Sequence, residues 1–375
     1  MRVLHIFTNP HLTNGATMFE FRVSQLLKKD GIYFDYLVTD QAENKEIEQY
    51  KSLGSNIYKL PIDKKHGLFI RELKINREYF KFFKNHDYDI VYADTENSLR
   101  AIHLLMAKLA GIPTRVVHSH NTNLQTESKI SKIISRIIRH FFWFSATDYF
   151  ACSDMAAEWL FPKSIFKKKK YTLLTNGVDL KTFKFDEKTR IRMREKYDIS
   201  LSDIIIGNVG RFMPQKNHKY MMSIFNEVVK KVPNVKLMLI GSGPLEQEIR
   251  EMVKDYNLND AVIFVGTTNN IVDYYQMMDL FLMPSLFEGL PITGIEAQAN
   301  GLPCLFSDSI TRELAITKLA NYCALSEKEE VWRDKIIELL SVGRQDCSEE
   351  IINAGYSIYD TVNYLKSFYL SKEEA

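Results

Sequence analysis

Short apolar runs rich in Val, Ile and Phe alternate along the chain with stretches whose apolar residues recur every three or four positions. In the first half the runs are Val3–Phe7, Phe34–Val38, Ile90–Ala93, Arg115–His118 and Tyr149–Cys152. Between them, Phe19, Val23, Leu26 and Leu27, and later Leu99, Ile102, Leu105, Met106 and Leu109, show helical spacing. Apolar strands separated by amphipathic helices predict parallel sheets covered on both faces. A turn signal at Asn176-Gly177, followed by Val178-Asp179 and a charged stretch, interrupts the pattern. It then restarts with Ile204–Gly210, Val235–Gly241, Val262–Gly266, Leu280–Ser285 and Pro303–Ser307. The reading is an α/β chain of two domains, 1–178 and 179–356. A last helical stretch over 357–375, marked by Val362, Leu365 and Phe368, is expected to pack back on the first. Two successive α/β units make an interdomain cleft the expected place for a ligand.

Composition changes this picture little. A chain of 375 residues with 45% hydrophobic and 12% aromatic content exceeds one ordinary core and is not disordered. Net charge is +2, but residues 1–180 carry 26 basic and 19 acidic side chains, while the remainder carries 23 and 28. That asymmetry turns the first half toward something anionic, a membrane surface or a phosphate-bearing acceptor, or is ordinary surface variation. Cys152, Cys304, Cys323 and Cys347 form no Cys-x-x-Cys pair and have no metal-spaced histidines. The first apolar run is short for a signal peptide, and no run of about 18 apolar residues could cross a bilayer. The expected location is cytoplasmic.

Candidate chemistry begins with exclusions. The first strand-to-helix turn holds a single glycine, Gly15, preceded by Asn14. Gly241-Ser242-Gly243 lacks a third glycine at the right offset, so a dinucleotide fingerprint is absent. No P-loop and no strand-end Asp-x-Asp occurs, which argues against a metal-dependent transferase. On the positive side, Gly207-Asn208-Val209-Gly210-Arg211 closes a strand, and Lys216 follows five residues later. Arg211 supplies a planar fork and Lys216 a mobile point charge, which suit a diphosphate; a strand followed by surface cations is the plainer alternative. More specific is Pro284–Ala297, where Glu288-Gly289-Leu290-Pro291 turns into a helix bearing Glu296 eight residues after Glu288. Backbone N–H groups at such a helix start face an anion. The apolar neighbours Ile295, Ala297 and Ala299 put Glu296 on a core-facing helix, where its carboxylate needs hydroxyl or amide partners.

Two glutamates separated by seven residues, with Gly-Leu-Pro after the first, resemble the signature of the retaining glycosyltransferases of family four. The Gly-Arg followed by Gln-Lys-Asn is similar to that family's diphosphate clamp, and Asn176–Asp179 to its interdomain junction. His118-Ser119-His120-Asn121 resembles its first-domain histidine motif. The matches follow the family's order and span most of the chain. The resemblance implies a GT-B fold of two Rossmann-like domains with parallel sheets facing across a cleft. It also implies a metal-independent, hexosyltransferase-type enzyme without a cofactor. By residue it implies that Glu296 holds the donor ribose, Glu288 the donor sugar, and Gly289, Leu290 and Pro291 the sugar and its phosphate. Arg211 and Lys216, next to Gly210, would stabilise the leaving diphosphate, and backbone near Val265 and Gly266 would meet the base. The Asn14-Gly15 turn would lie near the phosphates or acceptor, although many family members carry two glycines there.

Strand alternation places His118 and His120 on one face, and spacing from Pro113 favours His120 as the active-site histidine. Capping of backbone is the alternative for either one. Metal binding is not expected, because no third ligand lies nearby in sequence. Uridine diphosphate is the default donor carrier, and a glycan or lipid-linked acceptor in surface polysaccharide biosynthesis is the default destination. Residues 129–147 read as a basic amphipathic helix, with Lys129, Lys132, Arg136 and Arg139 near one side. With Lys167–Lys170, they predict peripheral binding at an anionic membrane, on its inner face, or simply a half-buried helix. No nucleic-acid module is recognisable. Two other readings stay open: a non-catalytic nucleotide-sugar-binding subunit, and a sugar-nucleotide epimerase on the same fold.

Overall fold

The structure is a computed structural model that describes residues 1–7, 12, 15–39, 44–61, 68–95, 98, 100–120 and 137–373. The chain divides into two compact units, Met1–Gly177 with Tyr359–Ala375, and Val178–Ile358.

The first unit holds strands β1 (Arg2–Phe7), β2 (Tyr33–Val38), β3 (Ile57–Lys59), β4 (Ile90–Thr95), β5 (Thr114–Ser119), β6 (Asp148–Ala151) and β7 (Thr172–Leu173). They form one sheet in the order β3-β2-β1-β4-β5-β6-β7, with every pair parallel. The second unit holds β8 (Ile204–Val209), β9 (Val235–Ile240), β10 (Val262–Gly266), β11 (Leu280–Met283), β12 (Cys304–Ser307) and β13 (Ala320–Cys323). Their order is β10-β9-β8-β11-β12-β13, again all parallel. Central strands are apolar on both faces because helices cover both. Val3, Leu4 and Ile6 in β1, and Leu280, Phe281, Leu282 and Met283 in β11, are fully buried.

Every strand expected from the apolar runs is present to within a residue or two, and three short ones were not anticipated. These are β3, β7 and β13, of three, two and four residues at sheet edges or next to them, mostly half-buried. Their sequences carry too few apolar residues to form a run. The terminal helix Ile358–Glu373 lies against the first sheet. The rings of Phe150 and Phe368 meet edge-on at 5.2 Å, and Thr361 Oγ1 donates to the Thr175 carbonyl at 3.2 Å.

In both sheets the strand order reverses direction at one place, between β1 and β4 and between β8 and β11. Loops leaving the carboxyl ends of those neighbours run to opposite faces and leave a crevice, where ligands of doubly wound sheets bind. The amino end of the second reversal is closed instead by charge. Asp279, just before β11, accepts from Arg190 at 2.6 Å, from Arg194 at 2.7 Å and from the Ile205 amide at 2.7 Å. Arg194 is fully buried and spends its remaining donors on the carbonyls of Met277, Ser200, Leu201 and Asp203. Arg344 donates to the carbonyls of Tyr275, Gln276 and Met278, which a helix of Ile271–Met277 leaves open at its end. Asp279→Ala would leave these arginines without their anion. We expect it to cost about 3 kcal/mol, read as a lower urea midpoint.

Candidate functional site

The second unit's crevice is built from loops that touch backbone to backbone. At the end of β8 the Gly210 amide donates to Ile240 O at 2.9 Å, and the Phe212 amide to Ser242 O at 3.0 Å. A β-carbon on Gly241, whose φ is +140°, would stand 2.1 Å from Gly210 O. One on Gly243 would stand 2.6 Å from Phe212 O. Gly241 and Gly243 therefore serve loop packing, in keeping with the absent dinucleotide fingerprint. Gly266 has φ +77° and accepts from the Gly241 amide at 2.9 Å, carrying the same braid to β10 beside Val265.

Beyond Gly210 the chain makes a turn that is stitched to the loop after β11. Asn217 adopts a left-handed conformation, φ +55°, and its Nδ2 donates to Pro284 O at 3.0 Å. The Leu286 amide donates to Gln215 O at 2.8 Å. Gln215 Nε2 donates to Phe287 O at 3.0 Å and to Glu288 Oε2 at 3.1 Å. Lys216 Nζ lies 2.6 Å from Glu288 Oε1, with the carboxylate side chain 8% exposed. Arg211 is exposed, and its guanidinium has no ion-pair partner among the described residues. His218 is buried, stacked on Phe212 at 4.4 Å, and pushed down to about 4 by burial and by Lys216, so it is neutral.

After Glu288, Gly289 and Leu290 are half-buried, and Pro291 precedes the helix Ile292–Ala299. No side chain caps that helix start, so its first amides stay available to an anion. Glu296 is 7% exposed and accepts from the Tyr275 hydroxyl at 3.1 Å. This is the hydroxyl partner that a core-facing carboxylate requires. Arg211, Lys216, Glu288, Gly289, Leu290, Pro291 and Glu296 thus belong to one edge of one sheet.

The first unit gathers a different set. Gly15 opens the helix Gly15–Leu27; Asn14 lies outside the described residues. His118, in β5, is fully buried, and its Nδ1 shares a hydrogen bond with the Tyr92 hydroxyl at 2.8 Å. Burial, then the neighbouring His120, push it well below the ordinary histidine value. The rings of His118 and His120 are 3.9 Å apart, on one face as alternation requires. His120 Nε2 lies 2.6 Å from Asp94 Oδ1. His5 Nδ1 lies 2.7 Å from Glu20 Oε1 and 3.4 Å from Asp94 Oδ2. Burial opposes charge on His5, but Glu20 and Asp94 outweigh it and carry it up to about 9. Burial likewise opposes the Asp94 carboxylate, and hydrogen bonds from His120 and His5 hold its pKa below the usual range.

Local sequence offers the histidines no third ligand, yet the fold supplies one. Asp94, His118 and His120 place their ligand atoms within 4.8 Å of one another, as do His5, Glu20 and Asp94. The 2.6 Å His120–Asp94 contact is a direct hydrogen bond, so that carboxylate is already engaged by imidazole, while His5 and Glu20 are paired by charge at 2.7 Å. Asp94, Glu20, His5 and Tyr275 are the site residues that pattern reading missed. For Asp94 the signal was present, a polar residue closing an apolar strand. The 129–147 segment is described only from residue 137 onward, where Ile137, Phe141 and Phe144 are exposed.

Comparison with known proteins bears on this geometry. The family model for glycosyl transferases group 1 matches residues 189–357, and that for glycosyltransferase family 4 matches residues 13–182. The putative glycosyltransferase EpsF of Bacillus subtilis is 32% identical over 98% of this chain and 96% of its own. The UDP-Gal:alpha-D-GlcNAc-diphosphoundecaprenol alpha-1,3-galactosyltransferase of Escherichia coli is 26% identical over 80% of each chain. Among solved structures, Anabaena HepE in complex with UDP and glucose superimposes with a TM-score of 0.75 at 14% identity. That match covers 99% of this chain and 100% of HepE. The two parallel sheets and these matches establish that the chain belongs to the glycosyltransferases of group 1 and family 4 and has the GT-B fold.

Proposed function

We propose that the protein transfers a sugar, with retention and without a metal, from a nucleotide diphosphate sugar to a glycan or lipid-linked acceptor in surface polysaccharide biosynthesis. The observation that carries this reading is the stitched pair of loops at the β8–β11 reversal. It holds Lys216 against Glu288 at a helix start without a side-chain cap, with Arg211 exposed just after β8. Uridine diphosphate is the favoured carrier, because HepE was solved with UDP, and the E. coli relative is named for UDP-Gal and a diphosphoundecaprenol acceptor.

Breaking the bond between sugar and diphosphate builds negative charge on the leaving group. Arg211 and Lys216 stabilise that charge without reorganising, as fixed donors do in a water-poor site. Amides of Gly289 and Leu290 add dipoles, and Pro291 sets the turn that aims them. Glu288 binds the sugar, and its contact with Lys216 holds that lysine in place before donor arrives. Glu296 accepts from the ribose hydroxyls, and backbone at Val265 and Gly266 meets the base. His120 of the first unit serves the transferred sugar. The leaving phosphate takes the proton of the attacking acceptor hydroxyl, so no carboxylate nucleophile is needed.

Three outcomes test this reading. A panel of uridine, guanosine and adenosine diphosphate sugars should show slow nucleoside diphosphate release from one donor, lost in Glu296→Ala; absence of both release and donor binding would overturn it. Lys216→Ala should lower turnover at least about a hundredfold, as removal of one charge-stabilising donor does. Tyr275→Phe should raise the donor KM several-fold and narrow the preference for ribose over 2′-deoxyribose donors, since Glu296 loses the hydroxyl that orients it.

Peripheral membrane binding is part of the same proposal. Ile137, Phe141 and Phe144 are exposed, as are the four lysines Lys167–Lys170. Exposed apolar side chains and lysines suit an anionic interface. The protein should pellet with anionic vesicles at low salt and be released by high salt. Failure to pellet at low salt would end this part of the reading.

A further inference from the structure

The buried cluster in the first unit goes beyond naming His120. Its five titratable side chains come from four separate pieces of chain. His5 lies on β1, Glu20 on the helix Gly15–Leu27, Asp94 on β4, His118 at the end of β5 and His120 just after it. The side chains of His5, Glu20, Asp94, His118 and His120 are 0, 4, 7, 1 and 4% exposed. They stand at the β1–β4 reversal, the place in this sheet equivalent to the phosphate-facing loops of the other.

The hydrogen bonds run in one direction. His5 is held protonated, and its Nδ1–H points between Glu20 and Asp94. That contact engages Asp94 Oδ2, while Oδ1 faces His120 Nε2 at 2.6 Å. An ionised carboxylate only accepts, so His120 must carry its proton on Nε2. The ring is thereby fixed in orientation and in tautomer, with Nδ1 as its acceptor nitrogen when the imidazole is neutral. His118 has no such carboxylate hydrogen bond; its Nδ1 contacts the Tyr92 hydroxyl at 2.8 Å and lies 3.8 Å from Asp94 Oδ1.

We propose that Asp94 is the positioning residue for His120, and that the His5–Glu20 pair behind it holds the Asp94 carboxylate in place. This rests on the reading of His120 as serving the transferred sugar. A ring held by an anion keeps one orientation and stabilises an imidazolium when proton or charge develops on it. Asp94→Asn keeps the shape but puts an N–H donor where an acceptor was, which favours the opposite tautomer.

The test is a double-mutant cycle on the full chain, with Asp94→Asn, His120→Ala and their combination, measured on the donor that the panel identifies. The expected result is a fall in kcat of about tenfold or more for Asp94→Asn, with donor KM near that of the parent. In the His120→Ala background the same change should do nothing further. Losses that multiply would assign Asp94 a structural role and overturn the proposal. So would an Asp94→Asn protein that turns over like the parent while His120→Ala is impaired. If His120→Ala itself behaves as the parent, the reading of His120 fails first and this one with it. Should Asp94→Asn not fold, the parent labelled with 15N-histidine decides. The resonance lost in His120→Ala must report a protonated Nε2, and a bare Nε2 there would overturn the proposal.

Discussion

Parallel strands put all their carboxyl ends on one edge of a sheet, and a reversal of strand order forces the loops there to part. Everything chemical in this chain depends on that constraint being met twice, between β1 and β4 and between β8 and β11. At the second reversal the parted loops would leave polar backbone and side chains without fixed partners. They are drawn together instead. Glycines at 241 and 243 let backbones approach to distances that a β-carbon would forbid. Gln215, Lys216 and Asn217 then reach across to Pro284, Phe287 and Glu288. Preorganisation of this kind matters more than the attraction of any one pair, because a fixed cation does not have to move as charge develops.

The Lys216–Glu288 contact shows how such a site is kept ready. A lysine alone beside a helix start would be held only by solvent, and its flexible stem would lose entropy on binding a phosphate. Pairing with the Glu288 carboxylate restrains it in advance. Arg211 is exposed and has no ion-pair partner among the described residues, so no such contact restrains it.

Much of this was legible in the sequence, for physical reasons. A fully buried parallel strand must be apolar on both faces, so β1, β2, β4, β5, β6 and the second unit's β8 to β12 announce themselves as runs. Edge strands such as β7, two residues long, bury too little to leave a pattern. In the second unit the site residues follow one another along the chain, so Glu288 to Glu296 could be read as a motif. In the first unit the chemistry is assembled across strands. His118 and His120 were visible as neighbours, but Asp94 comes from β4, Glu20 from a helix and His5 from inside an apolar run. Only the register of β1 and β5 against β4 brings them together. That no third group lies near the histidines in sequence did not bar Asp94 from reaching them, since distance along the chain is no measure of distance in a sheet.

Two buried charge clusters can be told apart by where their hydrogen bonds go. Around Asp279, Arg190 and Arg194 donate to backbone carbonyls and to Asp279, and Arg344 donates to backbone carbonyls and to Asn300 Oδ1. Those carbonyls would otherwise be unpaired, so the cluster has a structural task. The cluster of His5, Glu20, Asp94 and His120 is made of side chains that contact one another rather than backbone carbonyls. Buried ion pairs add little net stability over apolar packing of the same volume. Stability therefore does not account for this arrangement, whereas the need to hold one imidazole in one tautomer does.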